Sequence, residues 1–352
     1  MKRASEDGFA LPILLILLTA VTIFVANRTL QTFGGFDLRA SLRTDMALRN
    51  ARHALIQYAA WEDTSPGSLP CPDFDNDGDA DLNCASNAVG RFPWKTLGVE
   101  RPSDGNGECL WYAISPKARN TLQAYTRGPD GTQPAINPSY QGELSVLDAS
   151  SGVSAAAIAV IVAPGTALQG QSRTATPACS NGPSSAFLES RAGISNAAGG
   201  PAFVTSRADP SFNDRVLPLT ADALFVPVRA RVAIELAGRT PAANSGLRYL
   251  FAAGNDAGSY LASDGSGRLA LDFHDPQTLA AFSPPLTGTT TIKGACTHYD
   301  AGGNPTAEWL CFNRWLEFTQ YTPVASDSAR LALAGWQTDF SITNPPRLKR
   351  TQ

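Results

Sequence analysis

The chain has 352 residues, long enough for two domains, and its 43% hydrophobic and 17% charged residues are typical of a folded protein with a sizeable apolar core. A formal net charge of −3 and the lack of a basic stripe argue against a dedicated nucleic-acid-binding protein, so no nucleic-acid partner is expected. The 30 glycines and 25 prolines indicate many turns and short elements, which argues against a simple helical bundle.

The first predicted element is an apolar segment from Phe9 to Ala26 that contains no charged residue. At about 1.5 Å per residue, it is just long enough to cross a bilayer core of about 30 Å. The residues before it carry charges of both signs, so the positive-inside signal is weak. A cleaved secretory signal peptide is one alternative, although the sequence around Ala26 and Asn27 is a poor cleavage site.

The junction between Gly8 and Phe9 resembles the class III signal of type IV prepilins and pseudopilins, in which a short polar leader ends in glycine and a phenylalanine opens a membrane helix. The resemblance implies that residues 1–8 are a leader peptide, which a prepilin peptidase removes after Gly8. It also implies that the new terminal Phe9 is N-methylated. Residues 9–27 would then stay on the mature protein as a single-pass anchor in the bacterial inner membrane and as a polymerisation stem.

The fifth residue of the mature chain departs from the family pattern, because Ile13 stands where the family carries glutamate. In the family, that glutamate pairs with the terminal ammonium of a neighbouring subunit. Without such a partner, its charge would be costly to bury in an apolar filament core. A subunit at the filament tip does not need this pairing, and the large tip pseudopilin of type II secretion also lacks it. The resemblance therefore favours a minor pilin or pseudopilin that is tip-located or assembly-priming, with adhesion as a further role.

Residues 28–62 are predicted to continue the stem as an amphipathic helix that lies against a sheet. Apolar residues recur at mixed spacings of three and four, and the arginines fall largely on other faces. The predicted apolar face comprises Leu38, Leu42, Ala47, Ala51, Ala54, Leu55 and Tyr58.

Several later segments also resemble large prepilin-like proteins. They are residues 54–59 (ALIQYA), 69–73 (LPCPD), 93–98 (PWKTLG), 104–115 (DGNGECLWYAIS), 157–173 and 213–220. Residues 157–173 predict a buried strand that ends at the turn Pro164-Gly165. Residues 222–238 predict a helix, because four apolar side chains repeat at every fourth position: Leu224, Val228, Val232 and Leu236.

The predicted fold class is α+β, with a long N-terminal helix followed by a β-rich, disulfide-containing globular head. Residues 63–240 form the α+β pilin-like part of that head, and residues 241–352 are predicted to be mostly β. The head would lie in the periplasm, or at the cell surface within a filament. Its partners would be other pilin or pseudopilin subunits, which it contacts through the N-terminal helix. A membrane-anchored periplasmic or surface binding protein that does not polymerise is the alternative.

An acidic loop follows the predicted stem helix, with the sequence DFDNDGDAD from Asp73 to Asp81. Its carboxylates match positions 1, 3, 5, 7 and 9 of an EF-hand-like loop, and glycine stands at position 6. The predicted Ca²⁺ ligands are Asp73, Asp75, Asp77, Asp79 and Asp81. Position 12 is Cys84 rather than glutamate, so this would be a free-standing calcium loop or, alternatively, a solvated acidic turn.

The six cysteines contain no CxxC pair, which favours disulfides over a metal clamp in an oxidising compartment. Cys71 and Cys84 flank the acidic loop and are the best local pair. Cys296 and Cys311 have a similar separation, and Cys109 and Cys179 remain by elimination. Six cysteines allow many other pairings, so the sequence leaves the connectivity open.

No enzymatic activity is predicted, and no catalytic residue is assigned, because the chain lacks GxSxG, HExxH and Walker motifs. An aromatic cluster near the C-terminus comprises Trp309, Phe312, Trp315, Phe318 and Tyr321. Packing inside a β-rich region is the favoured interpretation, and an adhesive face for glycans or proteins is the alternative.

Overall fold

The computed structural model describes residues 10–238, apart from 64, 85–87, 123–132, 174–178 and 180, and it describes short strands and isolated positions between 267 and 349. The fold is α+β and rich in sheet. The long helices are α1 (Ala10–Trp61) and α2 (Ala221–Gly238). The strands are β1 (Val89–Arg91), β2 (Trp111–Ile114), β3 (Leu144–Asp148), β4 (Val153–Ala157), β5 (Ala159–Ala163), β6 (Ser190–Arg191), β7 (Ile194–Ser195), β8 (Ala202–Thr205), β9 (Arg215–Leu219), β10 (Gly267–Arg268), β11 (His298–Tyr299), β12 (Pro305–Thr306), β13 (Thr319–Ala325), β14 (Ser328–Leu333), β15 (Trp336–Ser341) and β16 (Arg347–Lys349).

A four-stranded antiparallel sheet with the order β1-β2-β5-β9 forms the middle layer of the head. Every residue of β5 is buried, because both faces of this sheet are covered. Its side chains alternate as a strand requires: Ile161 belongs to the core on one face, while Val160 and Val162 belong to the core on the other.

Helices cover one face of this sheet. From α1, Leu48, Ala51 and Leu55 enter the core at helical spacing. Helix α2 adds a row of side chains at every fourth position, and all of them are fully buried: Leu224, Val228 and Val232. The α2 row confirms the predicted helical period. Pro227 lies inside the helix, where it has no N–H to donate to the carbonyl oxygen of Ala223.

A three-stranded sheet with the order β4-β3-β8 covers the other face. Strands β3 and β4 are antiparallel, and β3 and β8 are parallel. Leu144, Val146 and Phe203 pack from this sheet against Trp111 of the middle sheet. The head is therefore built of three layers, with helices, a central sheet and a smaller sheet.

The upper part of α1 departs from the predicted apolar face. Leu38 and Leu42 are exposed (61% and 53%), and only from about Thr44 onwards do side chains become buried. The Thr44 hydroxyl accepts a hydrogen bond from the Gly105 amide at 2.9 Å, so the head contacts the helix at this level. The assignment of Leu38 and Leu42 to a sheet-facing surface was therefore wrong, because both side chains are exposed and are not packed against a sheet.

Toward the C-terminus, the described strands form a five-stranded antiparallel sheet with the order β10-β13-β14-β15-β16. Trp309 and Trp315 are buried, and the Trp315 ring meets the Phe225 ring of α2 edge-on at 5.8 Å. The Asn313 side chain accepts a hydrogen bond from the Ile136 amide at 2.7 Å. The two tryptophans of the aromatic cluster therefore serve packing, and the cluster's Phe312 and Phe318 lie outside the described residues.

Among the residues that the structure describes, no helix combines the length and the hydropathy needed to cross a bilayer. The leader, Gly8 and Phe9 lie outside the described residues, as do Cys296 and Cys311. The predicted cleavage site and the third predicted disulfide therefore remain predictions.

Candidate functional site: an acidic loop between two disulfides

The acidic loop begins just after the stem helix and is closed at its base by the disulfide Cys71–Cys84. Asp73 and Arg91 exchange backbone hydrogen bonds in both directions, so the loop is tied to the edge strand β1. The Cys71–Cys84 disulfide is the local pair that the sequence predicted.

Asp73 organises the turn. Its Oδ1 accepts a hydrogen bond from the Asn76 amide at 2.6 Å, and its Oδ2 accepts one from the Gly78 amide at 2.8 Å. Burial raises the pKa of Asp73 above its ordinary value, although these two amides oppose the shift, and the charges of Asp77 and Asp75 add to it. A cation bound beside this carboxylate would therefore favour its ionised form.

Gly78 is required at the sixth position of the loop. Its φ of +96° lies in a region that side chains disfavour. A Cβ atom there would also lie 2.5 Å from Nε1 of Trp94. The sharp turn that the sequence pattern predicts is therefore present.

The structure brings three of the five predicted carboxylates together. Asp73, Asp75 and Asp81 each offer an oxygen, and these oxygens lie within 4.8 Å of one another. Asp77 and Asp79 are outside this cluster: Asp77 Oδ1 accepts a hydrogen bond from the Asp79 amide, and Asp79 Oδ2 lies 3.6 Å from Nζ of Lys95. The predicted five-carboxylate arrangement is thus reduced to three convergent groups.

Three convergent carboxylates fit a hard divalent cation. Ca²⁺ takes roughly six to eight oxygen ligands, so backbone carbonyls or water would have to supply the others. Asp81 is held in place because its Oδ2 accepts a hydrogen bond from the Phe74 amide at 2.6 Å. Cys84, at position 12, is committed to the disulfide and supplies no ligand.

A second disulfide joins Cys109, just before β2, to Cys179. The segment around Cys179 faces the acidic loop. This disulfide matches the pairing reached by elimination. The Asn76 side chain donates hydrogen bonds to the carbonyl oxygen of Cys179 at 3.1 Å and to Oδ1 of Asn181 at 2.6 Å. The acidic loop and the Cys179 segment are therefore joined by side-chain hydrogen bonds, and each is fixed separately by its own disulfide.

Behind this site, the guanidinium of Arg91 lies over two aromatic rings. Its Cζ is 3.9 Å from the centre of the Trp111 ring and 4.4 Å from that of Phe187. Its Nη1 donates a hydrogen bond to the carbonyl oxygen of Cys109 at 3.3 Å. Burial lowers the pKa of Arg91 to about 10, and the nearby Glu108 opposes that shift. Sequence analysis missed this stack, because no spacing rule links residues 91, 111 and 187.

A buried pair of carboxyl groups was also missed. Asp214 is fully buried, and its Oδ2 accepts hydrogen bonds from the Glu189 amide at 2.8 Å and the Asn196 side chain at 2.9 Å. Glu189 Oε2 accepts one from the Asp214 amide at 3.0 Å. Burial and then the charge of Glu189 raise the pKa of Asp214 well above its ordinary value. Asp214 lies in the prepilin-like segment 213–220, but its partner lies 25 residues earlier.

No protein-family model, no curated protein and no solved structure matches this chain.

Proposed function

We propose that this protein is a prepilin-like subunit of a type IV pilus or type II secretion filament, anchored in the bacterial inner membrane by residues 9–27. The observation that carries the proposal is the Gly8–Phe9 junction, followed by an apolar segment within α1, the helix that continues into the head. The two disulfides in the head support this proposal, because disulfides persist in oxidising compartments such as the periplasm.

The proposed role is that of a minor subunit, located at the tip or acting in assembly priming, with adhesion as an additional role. Ile13 supports this position, because a subunit without the family's glutamate lacks the charge that pairs with a neighbour's terminal ammonium. Its proposed partners are prepilin peptidase and other pilin or pseudopilin subunits, which it meets through α1. No catalytic step is assigned to it.

We also propose that the acidic loop binds Ca²⁺ through Asp73, Asp75 and Asp81. The convergence of their oxygens supports this, as does the hard, all-oxygen character of the donor set. The cation would offset the mutual repulsion of the carboxylates and would stiffen the turn that the Cys71–Cys84 disulfide closes.

The filament role can be tested by restoring the missing glutamate. Sheared filaments from the native host are compared for the wild-type chain, Ile13→Glu and the matched control Ile16→Glu, which places the same charge elsewhere in the apolar run. We expect wild type to be scarce in filaments, Ile13→Glu to be incorporated along the shaft, and Ile16→Glu to be excluded. Absence of all three from filaments, with the protein intact in the membrane, would favour the non-polymerising binding protein instead.

A further inference from the structure

A cavity of about 420 Å³ lies between the acidic loop and residues 181–184. Its volume is in the range of sites that take small molecules. Phe74 and Asp75 line it from the acidic loop, and Asn181 and Pro183 line it from the facing segment. This cavity adjoins the three-carboxylate cluster, and Asp73 and Asp75 contribute to both.

The cavity is preformed, because both of its walls are fixed. One wall is closed by the Cys71–Cys84 disulfide, and the other is anchored by the Cys109–Cys179 disulfide. The Asn76 side chain bridges the walls through its hydrogen bond of 2.6 Å to Asn181. A binding site whose walls are already ordered loses little conformational freedom when a ligand enters, which favours affinity.

In the calcium-free protein, the charges around the cavity argue against an anionic ligand. The carboxylates of Asp73 and Asp75 and the guanidinium of Arg91 leave a net charge of −1 among its lining residues. Arg91 is 4% exposed, lies over Trp111 and Phe187, and donates to the Cys109 carbonyl, so it acts as part of the wall. Phosphates and carboxylic acids would meet the exposed Asp75 rather than this guanidinium.

The remaining polar groups favour a neutral ligand that both donates and accepts hydrogen bonds. Asp75 offers acceptor oxygens, and the side-chain amide of Asn181 offers a donor from the facing wall of the same cavity. Phe74, which is 43% exposed, and Pro183 present apolar surface next to these polar groups. A pyranose ring has both features, because its hydroxyl groups donate and accept while its carbon–hydrogen face is apolar.

We propose that this cavity binds one neutral sugar unit of a glycan. The inference names the ligand class for the adhesive role within the proposed function and rests on that role, but the binding itself does not require filament assembly. The half-exposed Phe74 contacts the apolar face of the sugar, and the rim residues Asp75 and Asn181 hydrogen-bond its hydroxyl groups.

The test is a ligand-observed saturation-transfer NMR experiment on the full chain purified in deuterated detergent. The probes are methyl glycosides of glucose, galactose, mannose and N-acetylglucosamine, with N-acetylneuraminate and glucosamine as the anionic and cationic comparators. Each probe is titrated at millimolar concentration in calcium and again in EDTA. Phe74→Ala and Asn181→Ala are compared with Leu82→Ala and Asn50→Ala, which change an exposed apolar residue and an exposed asparagine that do not line the cavity.

We expect at least one neutral glycoside to bind, Phe74→Ala and Asn181→Ala each to weaken its binding by roughly fivefold to tenfold, and the two controls to leave it unchanged. The inference is overturned if no neutral glycoside binds, if only a charged comparator binds, or if the cavity variants bind as wild type does. Because the assay uses isolated protein, such a result would leave the filament proposal standing, and the EDTA series keeps it separate from the calcium proposal.

Discussion

Gly105 lies so close to the stem helix that a Cβ atom at this position would be 1.9 Å from the carbonyl oxygen of Ala40. The backbone of the head therefore touches the backbone of α1, and the Gly105 amide donates to the Thr44 hydroxyl beside it. Arg215 adds a second contact, donating to the Ser41 hydroxyl at 3.0 Å and pairing with Asp45. Head and helix are thus fixed to each other where the helix enters the head.

Replacing Gly105 should loosen this junction. Gly105→Ala introduces an overlap with rigid backbone that no side-chain rotation relieves, so we expect a loss of about 1–3 kcal/mol in the free energy of unfolding. The measurement is urea unfolding of the full chain in detergent, followed by circular dichroism. Gly200→Ala is the control, because a Cβ atom there meets nothing within 4 Å. Equal stability of the two variants would contradict the close contact.

The buried Asp214 should make stability depend on pH. Its pKa in the folded state lies above that in the unfolded chain, because burial and the charge of Glu189 disfavour ionisation. The folded state therefore keeps a proton that the unfolded chain releases, so its stabilising effect is present at acidic pH, below the unfolded pKa of about 4. That effect is lost as pH rises from there toward the folded pKa.

Asp214→Asn removes this proton but retains an acceptor oxygen for Glu189 and Asn196. We expect the loss of stability with rising pH to become shallower than in wild type, measured as the free energy of unfolding across the acidic to neutral range. Part of the slope should persist, because burial also raises the pKa values of Asp73 and Asp104. Asp222→Asn, at an exposed site, should leave the slope unchanged. An unaltered slope in Asp214→Asn would refute the assignment.

Calcium should stabilise the protein through three carboxylates and not through the whole acidic loop. At free Ca²⁺ about a hundredfold above the dissociation constant, wild type should gain about 2.7 kcal/mol. Asp75→Asn combined with Asp81→Asn should abolish the gain, since both residues belong to the cluster. Asp77→Asn combined with Asp79→Asn removes the same charge outside the cluster and should preserve it. The measurement is thermal melting in Ca²⁺ and in EDTA. Equal stabilisation of the two double variants by Ca²⁺ would rule out the cluster as the binding site.

The two disulfides should differ in their contribution to stability. Cys109–Cys179 joins residues 70 apart in sequence and Cys71–Cys84 joins residues 13 apart, so the former restricts the unfolded chain more. Chain entropy predicts losses of about 4 and about 3 kcal/mol when each pair is replaced by alanine. Urea unfolding of the two double variants provides the comparison. A greater loss from the shorter loop would show that the local structure around the acidic loop dominates instead.

Non-reducing proteolysis and mass spectrometry should recover both peptide pairs from the wild-type chain. The same digest reports on the predicted Cys296–Cys311 bridge. Free thiols at all six cysteines would contradict the pairings and the oxidising compartment alike.

Local patterns predicted the fold best where one face of an element is buried. The row Leu224, Val228 and Val232 has the helical period, and these residues are fully buried in α2. The buried strand within 157–173 was also predicted, and β5 ends at Ala163, just before the predicted turn at Pro164. In both cases the signal is contained within one element and does not depend on which element packs against it.

The site was predictable only in part, because its geometry depends on contacts between distant segments. The EF-hand pattern identified the loop, but it placed Asp79 among the ligands, whereas this residue lies beside Lys95. Nothing in the spacing indicated that Asn76 would reach Asn181, or that Glu189 would meet Asp214. Such pairs are determined by how loops meet across the sheets, which sequence periodicity does not report.

In the proposed function, the apolar segment survives processing as the stem of the mature subunit. The most direct measurement is intact-protein and N-terminal peptide mass spectrometry of the chain purified from membranes of its native host. We expect a mature chain that begins at N-methylated Phe9 and retains the whole apolar segment. A chain that still begins at Met1, or one that is freely soluble and begins near Asn27, would contradict it.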